Sequence, residues 1–167
     1  IYLNNFSPKT KRSLISLDLI GFGQSDKPKN FGYDLLDQVN KIKKLLYELE
    51  IKDLIIIGHS YGGVFSSLLL NKIDDIETEI HVVAAPLGSN DLKKYCDYNH
   101  PKFKNKNISY FQWRTIKALD NAFNSYDYDP QIIDFAESSV VRLPSEYNGR
   151  RLGHLWSISW VADNFNQ

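Results

Sequence analysis

Residues 58–63, which read Gly-His-Ser-Tyr-Gly-Gly, constrain the fold more than any other part of the sequence. An apolar run over 54–57 leads directly into them, and a second apolar run over 64–70 follows them. This order predicts a buried strand, a very tight turn and a helix, with Ser60 at the turn. A strand that reverses into a helix so quickly strains its central residue. We therefore expect the Ser60 hydroxyl to stand above the carboxyl edge of a sheet, where α/β proteins bind ligands.

Two small residues of this turn have a predicted steric role. Gly58 and Gly62 are expected to relieve crowding where strand and helix nearly touch, because neither carries a Cβ. An ordinary glycine-rich turn with a surface serine would show the same short pattern. The strand before Ser60 and the helix after it favour a catalytic turn instead.

Length and composition limit the class of protein. The 167 residues suit one domain with a substantial core, and 43% of them are hydrophobic. Twenty basic residues balance twenty acidic ones, so no overall field favours nucleic acid or an anionic membrane. One cysteine, Cys96, excludes an internal disulfide and agrees with a cytoplasmic location. No apolar run approaches the ~18 residues of a membrane span. The sequence also lacks methionine, so we expect it to begin inside a longer protein, with an upstream signal peptide left open.

The first half of the chain alternates predicted strands and helices. Residues 14–19 predict a mostly buried strand, and a loop rich in turn formers follows over 21–28. Residues 34–49 carry apolar side chains on one helical face, and Asp34 is placed to cap that helix. Together with the serine turn, this β-α-β-α order predicts a mostly parallel, doubly wound sheet with helices on both faces.

The second half carries weaker signals. Its basic and aromatic stretch resembles a single-stranded nucleic-acid site, but the zero net charge favours a solvated loop or small lid. The elements predicted there are a third strand over 80–85, the loop over 86–110, a short helix over 113–123, a fourth strand ending at residues 134–135, and a helix over 155–165.

With these elements placed, the chain resembles the α/β-hydrolase superfamily. Residues 18–28, Asp-Leu-Ile-Gly-Phe-Gly-Gln-Ser-Asp-Lys-Pro, are similar to the family's loop after its fourth strand. Residues 58–63 are similar to its nucleophile elbow, and Gly153-His154 to its histidine loop. The resemblance is close over 14–70 and thin over 86–135.

This resemblance implies one α/β-hydrolase domain over 1–167 that lacks the first strands. A further crossover unit needs about 30 residues, whereas 13 residues precede Leu14. Only 94 positions separate Ser60 from His154, which leaves little room for a large cap domain. We therefore expect a fairly open pocket.

The resemblance also implies a nucleophile and a base. A serine hydroxyl needs a base to accept its proton as it attacks, and Ser60 is the implied nucleophile. His154 is the implied base, because it follows Ser60 in the order nucleophile, acid, histidine. Three other histidines are expected elsewhere: His59 directed away from the site, His81 within a strand, and His100 in the polar loop.

The acid of the implied triad is less well marked. In the family it often lies two residues ahead of a Val-Val or Ile-Val pair. Here the pair is residues 140–141, but Ser138 occupies the acid's place. Glu137 is favoured because its longer side chain could reach His154, with Asp134 and then Asp91 as alternatives. A solvated Glu137 with no catalytic role stays open.

One oxyanion donor is the backbone N–H of Tyr61, the residue after the nucleophile. The second donor should come from a loop one crossover unit before Leu14. Losing one oxyanion donor costs about 10²–10³ in rate, so the catalytic activity of this chain alone is expected to be impaired.

The predicted function is a serine hydrolase that cleaves a carboxylic or lipid ester through an acyl-enzyme. No metal or organic cofactor is implied, and the predicted partner is a small-molecule ester or lipid. Two alternatives stay open: a non-catalytic binding module, which Ser138 would favour, and another hydrolase or acyltransferase reaction on the same scaffold.

Overall fold

The computed structural model describes residues 12–95, 108–133 and 137–165. Two 3₁₀ helices, Lys117–Leu119 and Asn121–Phe123, lie between the third and fourth strands. The remaining elements, in chain order, are α1 (Leu35–Glu48), β1 (Asp53–His59), α2 (Tyr61–Leu70), β2 (Glu77–Val83), α3 (Asn90–Tyr95), β3 (Ile108–Arg114), β4 (Ser138–Arg142), β5 (Glu146–Tyr147), β6 (Arg150–Arg151) and α4 (Ser157–Asn164).

Four strands form one parallel sheet in the order β1-β2-β3-β4. In its centre Ile80 pairs with Ile56 on one side and with Tyr110 on the other. The two short strands β5 and β6 form a separate antiparallel hairpin. The predicted α/β class with a parallel sheet is confirmed. Because all four strands run the same way, the segments that follow them start from one edge.

The two faces of the sheet bury two different cores. Ile80 and Val82 of β2 pack with apolar residues of α1 and α2 on one face. Val83 packs with Trp113 of β3 and with α4 in the other core. Successive strand residues point to opposite faces, so one strand serves both cores. Helices on both faces are what the doubly wound pattern predicted.

Helix α1 follows its sequence pattern closely. Asp34 caps it by accepting the Leu36 N–H at 2.7 Å, and Leu35, Val39 and Leu46 are buried. Burying an apolar side chain of this size stabilises the fold by roughly 1.5–3 kcal/mol. The predicted helix over 34–49 is therefore confirmed to within one residue at each end.

The strand predicted over 14–19 is wrong. Leu14, Ile15 and Leu17 are 39%, 61% and 46% exposed, and the segment has no strand structure. In the sheet of the described residues β1 is an edge strand that pairs with β2 alone, and residues 14–19 do not pair with its open side. The loop that follows is ordered around Asp18, whose side chain accepts the Gln24 N–H at 2.9 Å.

Two predictions for the second half are also wrong. Residues 113–114 end strand β3, and the rest of the predicted helix over 113–123 is two short 3₁₀ turns. The fourth strand is β4, whereas residues 131–133 are irregular and residues 134–135 lie outside the described part of the chain. Polar residues such as Ser109 and Gln112 interrupt the apolar pattern of β3 and obscure it. The parallel sheet therefore contains a strand, β3, where the sequence predicts a loop and a helix, and its last strand lies later in the chain than predicted.

Within the described ranges, no helix combines the length and the apolar character that crossing a bilayer requires.

Candidate active site

Ser60 occupies the sharp turn between β1 and α2. Its backbone has φ 55° and ψ −121°, a left-handed conformation that is strained for any residue other than glycine. The Ser60 N–H donates to the carbonyl of Val83 at 2.9 Å, which ties the turn to the end of β2. The Ser60 side chain forms no capping hydrogen bond to α2. The turn therefore has the backbone geometry expected of a nucleophile elbow.

Glycines let the strand and the helix approach at this turn. A Cβ on Gly58 would lie 2.5 Å from the carbonyl oxygen of Gly62, and one on Gly63 would lie 2.6 Å from the Cβ of Ala85. A Cβ on Gly62 would meet no atom within 4 Å. The predicted steric role is confirmed for Gly58 and wrong for Gly62, since Gly63 is the second position where close packing requires glycine.

A buried carboxylate lies on the loop after β3. Asp120 is 0% exposed and sits between the two 3₁₀ helices. Its carboxylate accepts the Ala122 N–H at 3.1 Å and the Thr115 hydroxyl at 2.6 Å. His154 Nδ1 lies 3.1 Å from Asp120 Oδ2. A fully buried carboxylate needs such hydrogen-bond donors, and here they hold the Asp120 carboxylate beside the imidazole of His154.

His154 lies on the segment between β6 and α4. Its ring meets the ring of Phe123 edge-on, with centroids 5.3 Å apart. The preceding Gly153 allows this approach, because a Cβ there would lie 2.7 Å from the carbonyl oxygen of Leu119. When Nδ1 carries the proton and its N–H donates a hydrogen bond to Asp120, Nε2 is left as a proton acceptor. This tautomer is the one that a histidine base requires.

His59 fastens the serine turn to the histidine loop. Its Nε2–H donates to the backbone carbonyl of His154 at 2.7 Å, and the two imidazole centroids are 4.8 Å apart. The Ser157 hydroxyl donates to the same carbonyl at 2.7 Å. Burial lowers the pKa of His59, which favours its neutral form beside His154. The expectation that His59 is directed away from the site is therefore wrong.

The candidate acids from the sequence lie elsewhere. Glu137 is exposed immediately before β4, and Asp91 is exposed on α3. Asp134 lies outside the described residues. The structure brings Asp120, and not Glu137, to His154. Asp120 is the residue that the sequence-based prediction missed. It follows β3, whereas His154 comes after β4, the next strand of the sheet. The family places its acid after the strand that precedes the histidine's strand.

His81 is confirmed as a core histidine. It is 1% exposed and stacks on Phe111, with ring planes 7° apart. Trp113 Nε1–H donates to Nδ1 at 2.9 Å, so Nε2 carries the proton and donates to Glu79 at 2.6 Å. Burial lowers the pKa of His81, and the bond to Glu79 opposes this effect. Both ring nitrogens are satisfied without a catalytic role.

Apolar side chains surround the serine and histidine loops. The rings of Phe22 and Tyr61 lie 6.0 Å apart, and Leu155, next to His154, is 72% exposed. A cavity of about 330 Å³ opens beside His154 and Leu155. Its lining comprises Leu119, Asn121, Arg151, Gly153, His154, Leu155 and Trp156. Among the described residues, no group of three His, Cys, Asp or Glu side chains could hold a metal ion.

Comparison with known proteins gives partial matches. The chain is 37% identical over 65 residues to the AB hydrolase superfamily protein YisY of Bacillus subtilis, a match that covers 39% of the chain and 24% of that protein. It is 31% identical over 74 residues to the probable lysophospholipase BODYGUARD 4 of Arabidopsis thaliana, covering 44% and 18%. It is 34% identical over 59 residues to the mesoderm-specific transcript protein of Mus musculus, covering 34% and 18%. Each match thus spans about a quarter or less of the relative's own length.

A family model extends this similarity over most of the chain. The model described as the alpha/beta hydrolase fold matches residues 2–145, a range that includes the serine turn and Asp120. The parallel sheet and the glycine-lined turn at Ser60 agree with that description. The chain belongs to the α/β-hydrolase family.

Proposed function

We propose that this chain carries the catalytic centre of a serine hydrolase that cleaves carboxylic or lipid esters, with Ser60 as nucleophile, His154 as base and Asp120 as acid. The observation that supports this most is the 3.1 Å contact between His154 Nδ1 and the buried Asp120 carboxylate. It occurs on the same sheet edge as the strained turn at Ser60. Orienting a neutral imidazole with a buried carboxylate is the arrangement that activates a serine hydroxyl.

The proposed reaction has two displacement steps. Ser60 Oγ attacks the ester carbonyl carbon while His154 Nε2 accepts the hydroxyl proton. The His154 imidazolium, stabilised by Asp120, then gives that proton to the leaving alkoxide, and an acyl-enzyme forms. Water attacks the acyl carbonyl in the second step, with His154 again accepting and returning the proton, which releases the carboxylic acid and restores Ser60.

The developing oxyanion requires fixed donors. Tyr61 is the first residue of α2, so its backbone N–H lies at the positive end of that helix. We propose this N–H as one donor, as the elbow geometry of the family implies. A second donor from elsewhere in the complete protein would complete the hole, so the proposed activity is that of the full-length protein.

A lipid or other apolar ester is the proposed substrate class. Phe22, Tyr61 and Leu155 place exposed apolar surface beside the serine and histidine loops. The cavity beside His154 adds mostly uncharged lining, with Arg151 as its one cationic side chain among the described residues. Two Arabidopsis relatives are named probable lysophospholipases, which agrees with this class.

Active-site labelling tests the proposal. The full-length protein is treated with a fluorophosphonate probe, and the adduct is mapped by mass spectrometry. We expect the label on Ser60, no label in Ser60→Ala, and hydrolysis of p-nitrophenyl esters by the unmodified protein. A folded protein that is not labelled, or is labelled at another serine, would overturn the proposal and favour a binding module.

A further inference from the structure

The hydroxyl of Thr115 is directed at the Asp120 carboxylate. Thr115 is the first residue after β3 and is 1% exposed. Its Oγ1–H has two acceptors within reach, Asp120 Oδ2 at 2.6 Å and Gln131 Oε1 at 3.0 Å. The shorter bond to the charged acceptor is the stronger of the two. Thr115 therefore supplies the buried Asp120 carboxylate with a buried hydroxyl donor.

Gln131 in turn fixes Thr115. Its Oε1 accepts the Thr115 N–H at 2.9 Å, and its Nε2 donates to the Thr115 carbonyl at 3.0 Å. One side-chain amide thus pairs with both backbone groups of Thr115, as a neighbouring strand would. Gln131 is 2% exposed, and Asp129 Oδ1 accepts both its N–H and its Nε2–H. Thr115, which leads from β3 into the loop that carries Asp120, is therefore held by the buried Gln131 amide rather than by a neighbouring strand.

These bonds matter because a carboxylate is free to rotate about its last torsion unless donors fix it. Asp120 has donors on both oxygens: Ala122 N–H on Oδ1, and the Thr115 hydroxyl on Oδ2. These two donors hold the carboxylate plane independently of His154. Removing the Thr115 donor leaves the plane held by one backbone N–H and by His154 itself.

We propose that Thr115 and Gln131 are positioning residues that act on catalysis through Asp120, by holding its carboxylate in the plane that orients His154. This inference rests on the proposed function. It assigns a role to a buried pair 16 positions apart, of which Thr115 is hydrogen-bonded to the proposed acid. Its consequence is that the loss of the Thr115 hydroxyl slows the chemical step rather than weakening substrate binding.

Three variants of the full-length protein test this inference. Thr115→Val is expected to lower kcat at least about tenfold, the order of magnitude of one hydrogen bond to a charged group, with KM within about twofold. Thr115→Ser keeps the hydroxyl and is expected to restore most of the rate. Thr78→Val is the matched control, since Thr78 is 2% exposed and its hydroxyl donates to the Ile76 carbonyl near the opposite edge of the sheet. It should affect thermal stability without lowering kcat.

A double variant shows whether the effect passes through Asp120. In the Asp120→Asn background, Thr115→Val is expected to cost less than about twofold, because the two residues act as a unit. A full tenfold cost in that background, or equal losses in the Val and Ser variants, would overturn the inference. Failure of the proposed function looks different, because Asp120→Asn and Ser60→Ala would then leave ester hydrolysis intact. If those two variants are inactive and Thr115→Val is fully active, the positioning role alone is wrong.

Discussion

The Nε2 atom of His59 and the backbone carbonyl oxygen of His154 lie 2.7 Å apart, although 95 positions separate the two residues in the chain. His59 is the residue directly before Ser60, and the carbonyl belongs to the proposed base itself. This single hydrogen bond therefore joins the loop of the nucleophile to the loop of the base. It fixes their separation independently of the Asp120 contact, which orients only the imidazole.

Replacing His59 by Leu is expected to lower kcat about tenfold, because one hydrogen bond of ordinary strength no longer sets the separation of the two loops. KM should change little, since the hydrogen bond of His59 goes to the backbone of the histidine loop and its loss is expected to change loop spacing rather than substrate contacts. Steady-state kinetics on a soluble ester measure both constants. Ser157→Ala, which removes the second donor to the same carbonyl, should cost less while His59 remains. A raised KM with unchanged kcat in His59→Leu would contradict this role.

The acid assignment predicts opposite outcomes for two carboxylates. Asp120→Asn is expected to lower kcat by about 10⁴, because the amide favours the wrong tautomer of His154. Glu137→Gln should leave kcat within about twofold, because Glu137 is exposed. Steady-state rates of the two variants, with circular dichroism to confirm folding, decide the matter. A large loss in Glu137→Gln with an active Asp120→Asn would reverse the assignment.

The buried histidines predict a pH dependence of stability. Burial lowers the pKa of His81 below that of the unfolded chain, so the unfolded state takes up a proton first as the pH falls. The stabilising contribution is fully present above about pH 6.5 and is lost as the pH drops below it, by up to ~1.4 kcal/mol per pH unit. His59 contributes in the same direction.

Urea unfolding between about pH 5 and about pH 8, a range that brackets the ordinary histidine pKa of about 6.5, measures this effect. In His81→Gln, which does not titrate and keeps an acceptor for Trp113, the decline in the free energy of unfolding below about pH 6.5 should become shallower. An unchanged slope in that variant would show that other groups control acid stability.

Two glycines of the elbow should respond differently to alanine. Gly58→Ala places a methyl 2.5 Å from the backbone oxygen of Gly62, and it is expected to destabilise the fold by about 1–3 kcal/mol. Gly62→Ala meets no atom within 4 Å and lies in a helix, so it should stabilise the fold by up to ~1 kcal/mol. Thermal unfolding of the pair checks this. Equal destabilisation by both changes would contradict the packing described for the turn.

The sequence predicted the first half of the structure well where local signals agree. Around Ser60, apolar runs and small residues specify strand, turn and helix together, and Asp34 marks the start of α1. The segment over 14–19 misled because its apolar pattern is that of a strand. An apolar pattern becomes a strand only when its backbone pairs with a neighbouring strand, and residues 14–19 do not pair with the open edge of β1.

The acid was missed for a related reason. Asp120 is a catalytic candidate only once β3 is recognised, and one face of β3 carries Tyr110, Gln112 and Arg114, all three buried. Gln112 and Arg114 are polar, yet they are buried because they bond to each other and to neighbouring groups. A pattern of hydrophobic residues does not reveal such hydrogen-bonded polar pairs, so this segment is predicted as part of a loop and a helix instead of a strand.

The left-handed backbone of Ser60 has a consequence for how this protein responds to selection. A serine at φ 55° costs of order 1–3 kcal/mol, and glycine adopts that conformation freely. The Ser60 side chain adds no capping bond to offset that cost. Directed evolution for heat resistance alone would therefore enrich Ser60→Gly, and the proposed nucleophile persists only in lineages that are also screened for turnover.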